Sequence, residues 1–138
     1  MTPAFVLDSW AVLAWLKNEL PAAEKVQVLF DSANRRERKL AMNIVNLGEV
    51  YYLAAKARDL AYADRVLQNL RSRVSSVPAA DDLVMYAAAL KSRYPISYAD
   101  AFAAATAVMR NSPLVTGDLD FQPMESLEKG FQLEWIGS

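Results

Sequence analysis

Near the end of the sequence, LVTGDLDF (114–121) leads three residues suited to a buried strand into a glycine and then two aspartates, Asp118 and Asp120. Three other acids sit in equally unusual places. Asp8 closes the apolar run AFVLD (4–8). Glu49 lies in the middle of NIVNLGEVYYLA, with no Lys or Arg three or four positions away. Asp100 falls in the first turns of the alanine-rich YADAFAAATAVMRN (98–111). The chain contains no cysteine and no histidine. Disulfides, thiolate nucleophiles, zinc–sulfur sites, a Ser-His-Asp triad and imidazole ligation are therefore excluded. Any catalysis must use carboxylates, hydroxyls, amines or a metal held by oxygen, and an oxygen-only ligand set favours Mg²⁺, Mn²⁺ or Ca²⁺. Clustered carboxylates repel, so without a counter-ion some keep their protons. A divalent cation removes that difficulty, polarises a phosphoryl oxygen and activates water, and two such ions can brace an in-line displacement. Each acid also has a plainer reading: Asp8, Asp118 and Asp120 as turn residues, Asp100 as a partner of the helix dipole, Glu49 on a solvated edge.

The elements that must position these acids follow from apolar spacing. AFVLD reads as a buried strand, Ser9 as a cap for the helix WAVLAWLKN, and PAAEKVQVLFDSANRR as a second helix with Pro21 in its first turn. KLAMN (39–43) reads as a strand, IVNLGEVYYLAAKARD (44–59) and AYADRVLQNLRSR (61–73) as helices, and VSSVP (74–78) as a weak strand. AADDLVMYAAALKSR (79–93) is a helix with Asp81 and Asp82 in its first turn. Residues 98–111 form another, LVT a strand and FQLEWI (131–136) the last one. Strands alternating with helices imply a mostly parallel sheet covered on both faces, with ligands beyond the carboxyl ends of its strands. Asp8 and Asp118 fall at such ends. Ala103, Ala104 and Ala107 share a face with Asp100, and that small-residue stripe lets the helix approach the sheet and partly bury the acid.

In order and spacing, VLDSW, NLGEVYY, YADAFAAATA and LVTGDLDF resemble PIN domains across essentially the whole chain, and most closely the VapC-type ribonuclease toxins of bacterial toxin–antitoxin pairs. The resemblance implies a three-layer α/β/α sandwich, a single domain over 1–138 and a dimer. It also implies an acidic quartet of Asp8, Glu49, Asp100 and Asp118 binding Mg²⁺ or Mn²⁺, with Asp120 as an additional acid near the metal and Ser9 and Thr116 as supporting hydroxyls. On this reading RNA is the substrate. Asp8 and Asp100 are primary ligands, Asp118 binds directly or through water, and Glu49 orients or deprotonates the water that attacks the phosphodiester. A small antitoxin is expected to lay an apolar helix on the toxin and to push an arginine toward the acids.

The remaining features are less specific. The 138 residues are 54% apolar and 22% charged, with a formal net charge of −1, more acidic than a typical nucleic-acid-binding domain. NRRERK (with Arg35, Arg36, Arg38 and Lys39), Arg71, Arg73, Lys91, Arg93 and Arg110 are candidates for phosphate contacts, or equally for helix-end and surface charge. Trp10, Trp15, Phe30, Tyr51 and Tyr52 read mostly as core. MTPAFVLDSWAVLAWL has no basic start and is too short to span a bilayer, which predicts a soluble, cytoplasmic protein. A haloacid-dehalogenase-type phosphatase would place an acid two residues after Asp8, where Trp10 stands, and a receiver domain would place a lysine after a late strand, where LVTGDLDF has none. A non-catalytic interaction module stays open as an alternative.

Overall fold

In the computed structural model, which describes residues 4–138, the strand residues alternate between the two faces of one sheet. Met1–Pro3, the first residues of the stretch weighed above as a leader, lie outside the described residues. In β1 (Ala4–Leu7), Phe5 and Leu7 face one core and Val6 the other; in β2 (Lys39–Asn43), Leu40 and Met42 face the first and Ala41 the second. With β3 (Ser75–Val77), β4 (Leu114–Thr116) and β5 (Leu133–Trp135) they form an all-parallel sheet in the order β3-β2-β1-β4-β5. One face packs on α1 (Ser9–Leu16), α2 (Ala22–Asn34), α3 (Ile44–Ala57) and α4 (Leu60–Arg71), around buried Phe30, Leu47 and Leu70. The other packs on α5 (Asp81–Arg93), α6 (Tyr98–Met109) and α7 (Gln122–Leu127). The three-layer α/β/α sandwich expected from the sequence is the observed fold.

The chain leaves β1 toward β2 and β3, then returns to β4 on the other side of β1. Strand order therefore reverses between β1 and β4, the position where parallel sheets form a crevice beyond the carboxyl ends of their strands. Asp8 follows β1 and Asp118 lies two residues past β4. On α6, Ala101, Ala103, Ala104, Ala105 and Ala107 have no exposed surface, so the helix lies close against β1, β2 and β4 and brings Asp100, in its first turn, to the same crevice. At the far end of α5, Glu128 accepts hydrogen bonds from the Tyr86 hydroxyl (2.8 Å), the Tyr94 hydroxyl (3.0 Å) and Arg93 Nη2 (2.7 Å), which ties the segment after α7 to that helix.

One expectation needs correction. Ser9 does not cap α1: Asp8 does, accepting from Ala11 N at 2.9 Å, because a carboxylate one residue earlier already meets the free amides. The segment after LVTGD, given no element from the sequence, is partly helical. A single 3-10 turn, Leu119–Phe121, leads into α7, and Phe121 and Met124 are fully buried. Among the aromatics, Phe30 is buried, Trp10, Trp15 and Tyr51 are partly covered by the core, and Tyr52 is exposed.

Candidate active site

Asp8 is the most constrained acid. It has no exposed surface, and both its oxygens are engaged: Oδ1 by Ala11 N and Oδ2 by the Thr116 hydroxyl at 2.6 Å. Thr116 Oγ1 in turn accepts from Asp118 N at 3.0 Å. One buried hydroxyl thus links the end of β1 to the loop after β4 and sets the height of Asp118 over the crevice. Asp118 Oδ1 accepts from Asp120 N at 3.0 Å and caps the 3-10 turn. Gly117 is required between them, since any Cβ there would fall on the Trp10 indole ring. Ser9 is buried and donates to the Asn46 carbonyl at 3.3 Å, so it braces α3 against α1.

Asp100 is half-buried and faces the others from the start of α6, where its amide donates to the Ser97 hydroxyl oxygen at 3.1 Å. Asp100, Asp118 and Asp120 each place a carboxylate oxygen within 4.8 Å of the other two. Asp8 and Glu49 stand outside this trio, yet both lie close enough to act electrostatically on Asp100 or to feel it. Burial, opposed by the bonds from Thr116 and Ala11 and reinforced by Asp100 and Asp118, pushes Asp8 up to about 8. Burial, then the charge of Asp118, then those of Glu49 and Asp120 push Asp100 up to about 6 against the Ser97 hydrogen bond.

The structure therefore gathers acids without neutralising them. Among the described residues the ion pairs are Arg35–Glu37 and Arg93–Glu128, and neither touches this crevice. The donor set is all oxygen, which suits Mg²⁺ or Mn²⁺. Octahedral Mg²⁺ holds neighbouring oxygens about 3 Å apart and opposite ones about 4 Å apart. Asn46, one turn before Glu49 on α3, adds a second sign of fit: it is buried, its Nδ2 donates to the Ala99 carbonyl at 2.9 Å beside Asp100, and its Oδ1 has no partner among the described residues. The residues present fit a hard divalent cation.

Sequence reasoning passes over Asn46, Asn43 and Ser97. Asn43 caps α3 by accepting from Val45 N, and its Nδ2 donates to Thr106 Oγ1 at 3.1 Å, which fixes α3 against α6. The available signal is positional: Asn43 precedes the helical run, Ser97 stands three residues before Asp100, and Asn46 shares the face of Glu49. Among the described residues no salt bridge joins a cation to these acids. Arg35 pairs with Glu37 and Arg93 with Glu128, while Arg36, Arg38, Lys39, Arg73 and Arg110 surround a cleft at the opposite edge of the sheet.

A family model described as "PIN domain" matches residues 5–126. A comparison with curated proteins finds no match. Among solved structures, the DNA-bound VapBC of Salmonella typhimurium aligns over 99% of both chains at a TM-score of 0.72 and 16% identity. VapBC2 of Rickettsia felis, bound to a fragment of promoter DNA, aligns over 95% of this chain and 97% of that one, at 0.71 and 18%. VapC20 of Mycobacterium tuberculosis, a toxin that cleaves the sarcin–ricin loop, aligns over 89% and 95%, at 0.68 and 15%.

Proposed function

We propose that this chain, which belongs to the PIN domain family, is a ribonuclease that uses Mg²⁺ or Mn²⁺ and serves as the toxin of a pair restrained by an antitoxin. The observation that carries this reading is the cluster of Asp100, Asp118 and Asp120, with Asp8 and Glu49 near enough to couple electrostatically to Asp100, and with neither ion pair among the described residues involving any of these acids. A bound divalent ion would supply Lewis acidity toward a phosphodiester oxygen and lower the pKa of water.

The chain's own groups divide the remaining work. Thr116 and the Ala11 amide hold Asp8 in one orientation, and Thr116 sets Asp118 through its amide. Asp100, which titrates at about 6, is mostly ionised near neutral pH and so ready to take a cation. Glu49 is half-buried across from Asp100, with no hydrogen bond or ion pair among the described residues to occupy it, so it is free to orient a water or take its proton. Asp120 is exposed at the edge, where it adds negative charge without being locked in place.

RNA as the substrate is supported by the likeness to a toxin that cleaves an RNA loop, and the antitoxin by the likeness to VapBC assemblies. A candidate surface supports this part of the reading. Leu13, Leu16, Leu53 and Tyr62 line an apolar cavity of about 260 Å³ between α1 and the α3–α4 pair, suited to the apolar face of a short helix. A homodimer belongs to the same reading and is tested by sedimentation. Among the described residues no helix is long and apolar enough to cross a membrane.

The test is incubation of purified protein with RNA in Mg²⁺, Mn²⁺ or EDTA, beside Asp8→Asn and Asp100→Asn. Cleavage is expected only with metal and in neither variant. Equal inactivity of all three proteins, free of antitoxin, would instead identify a non-catalytic module.

A further inference from the structure

The cations left out of the acidic crevice are gathered rather than scattered. Arg36, Arg38, Lys39, Arg73 and Arg110 line one cleft of about 480 Å³, with no Asp or Glu in its lining. Five of the chain's 15 Lys and Arg thus share one concavity in a protein of net charge −1. Lys39 begins β2, Ser75 begins β3, and Arg110 precedes β4. Since all strands are parallel, this is the amino edge of the sheet, opposite the acids. The five residues of β2 make the separation at least about 15 Å.

A plain reading is compensation of helix dipoles, because α2, α4 and α6 all end just before cleft cations. Its magnitude is too small. Each carboxyl terminus carries about half a negative charge, so three of them offset about 1.5 of five positive charges. Glu37, next to Arg36 and Arg38 in the chain, pairs with Arg35 and also feels the charge of Arg38. Two of the cations are also held in place: Arg38 lies over the Phe5 ring at 5.6 Å, and Arg73 over Phe30 at 5.2 Å. Arg38 Nε is buried and has no acceptor among the described residues. An ordered, arginine-rich cleft is suited to the oxygens of phosphodiesters. An acidic protein partner is the less favoured ligand, because the cleft lining has no aromatic residue and its one large apolar side chain, Leu40, is buried.

We propose that this cleft is a second contact for the RNA backbone, remote from the site of cleavage, used by substrates long enough to reach both edges of the sheet. It rests on the ribonuclease reading for the identity of its ligand. The two can fail separately, because binding is measured without cleavage.

The experiment takes full-length Asp100→Asn protein in EDTA and a labelled RNA of about 30 nucleotides. Affinity is followed against salt with and without the triple change Arg36→Gln, Lys39→Gln, Arg110→Gln. Three lost phosphate contacts lower the slope of log K on log salt by about 2. Between about 50 and 200 mM, the protein with the cleft intact then loses roughly fifteenfold more affinity than the triple variant. In the otherwise wild-type chain, the triple change should raise KM for the long RNA, leave kcat unchanged and spare a dinucleotide. Arg36→Gln alone, at an exposed site after α2, lowers the slope by about 0.7 and serves if the triple variant does not fold. Unchanged slope and unchanged KM would overturn the proposal. So would loss of binding to polyglutamate with RNA binding intact, which would mark the cleft as a protein site.

Discussion

Replacing Asp8 by Asn should make the metal-free protein more stable at alkaline pH while destroying its response to metal. The carboxyl is fully buried and titrates at about 8, against 3.8 when exposed. In the folded state it stays protonated between those values, whereas in the unfolded chain it ionises. The unfolded state therefore binds fewer protons across that window, and folding stability falls as pH rises. The contribution is present in full below about pH 4 and is lost progressively up to about pH 8. At 1.36 kcal/mol for each pH unit, the loss is on the order of 5 kcal/mol, a large part of the 5–15 kcal/mol typical of a domain. Asn fits the same space without titrating: its oxygen accepts from Ala11 N, and its amide donates to Thr116 Oγ1. Urea unfolding in EDTA at intervals from pH 5 to 9 reads the difference. The wild-type midpoint should fall by roughly 2 M or more over that range. That of the variant should level off above pH 6, where the remaining raised acid, Asp100, has ionised. Mg²⁺ at a hundred times its Kd then restores about 2.7 kcal/mol to the wild type alone. Parallel curves for the two proteins across the whole range would refute the burial argument.

Thr116→Val removes the hydroxyl that joins Asp8 to Asp118 N, so it should cost about 1–3 kcal/mol in urea and weaken Mn²⁺ binding by roughly 10–100-fold in calorimetry. Gly117→Ala places a methyl against the Trp10 ring and should destabilise by about 1–3 kcal/mol, with a change in near-ultraviolet circular dichroism as the indole moves. Glu128→Gln weakens the three hydrogen bonds that tie the segment after α7 to Tyr86, Arg93 and Tyr94; thermal unfolding should show a loss of about 1–3 kcal/mol.

The ends of β1 and β4 are legible because an apolar run stops abruptly at a charge, and a fully buried strand cannot continue through an uncompensated carboxylate. The alanine stripe before LVT is legible for the same kind of reason: a face made of methyl groups has one use, close packing against a sheet. Leu119–Leu127 is not legible. A 3-10 turn followed by six helical residues containing Pro123 is too short to show a period, and it forms because Phe121 and Met124 have a core to enter. The exchange of roles between Asp8 and Ser9 is hidden because either side chain can cap, and only the fold places the Asn46 carbonyl where Ser9 can donate to it. The basic residues are the least legible, since three sequence-distant helix ends meet at one cleft only after the parallel order is known.

Crystals of the protein soaked in Mn²⁺ at pH 8 and measured at the manganese absorption edge test the central claim most directly. An anomalous peak is expected in the crevice beyond β1 and β4, in contact with Asp100 and Asp118, and absent from crystals of Asp100→Asn. A map with no peak there at saturating Mn²⁺, or with the same peak in the variant, would contradict a metal site built on these acids.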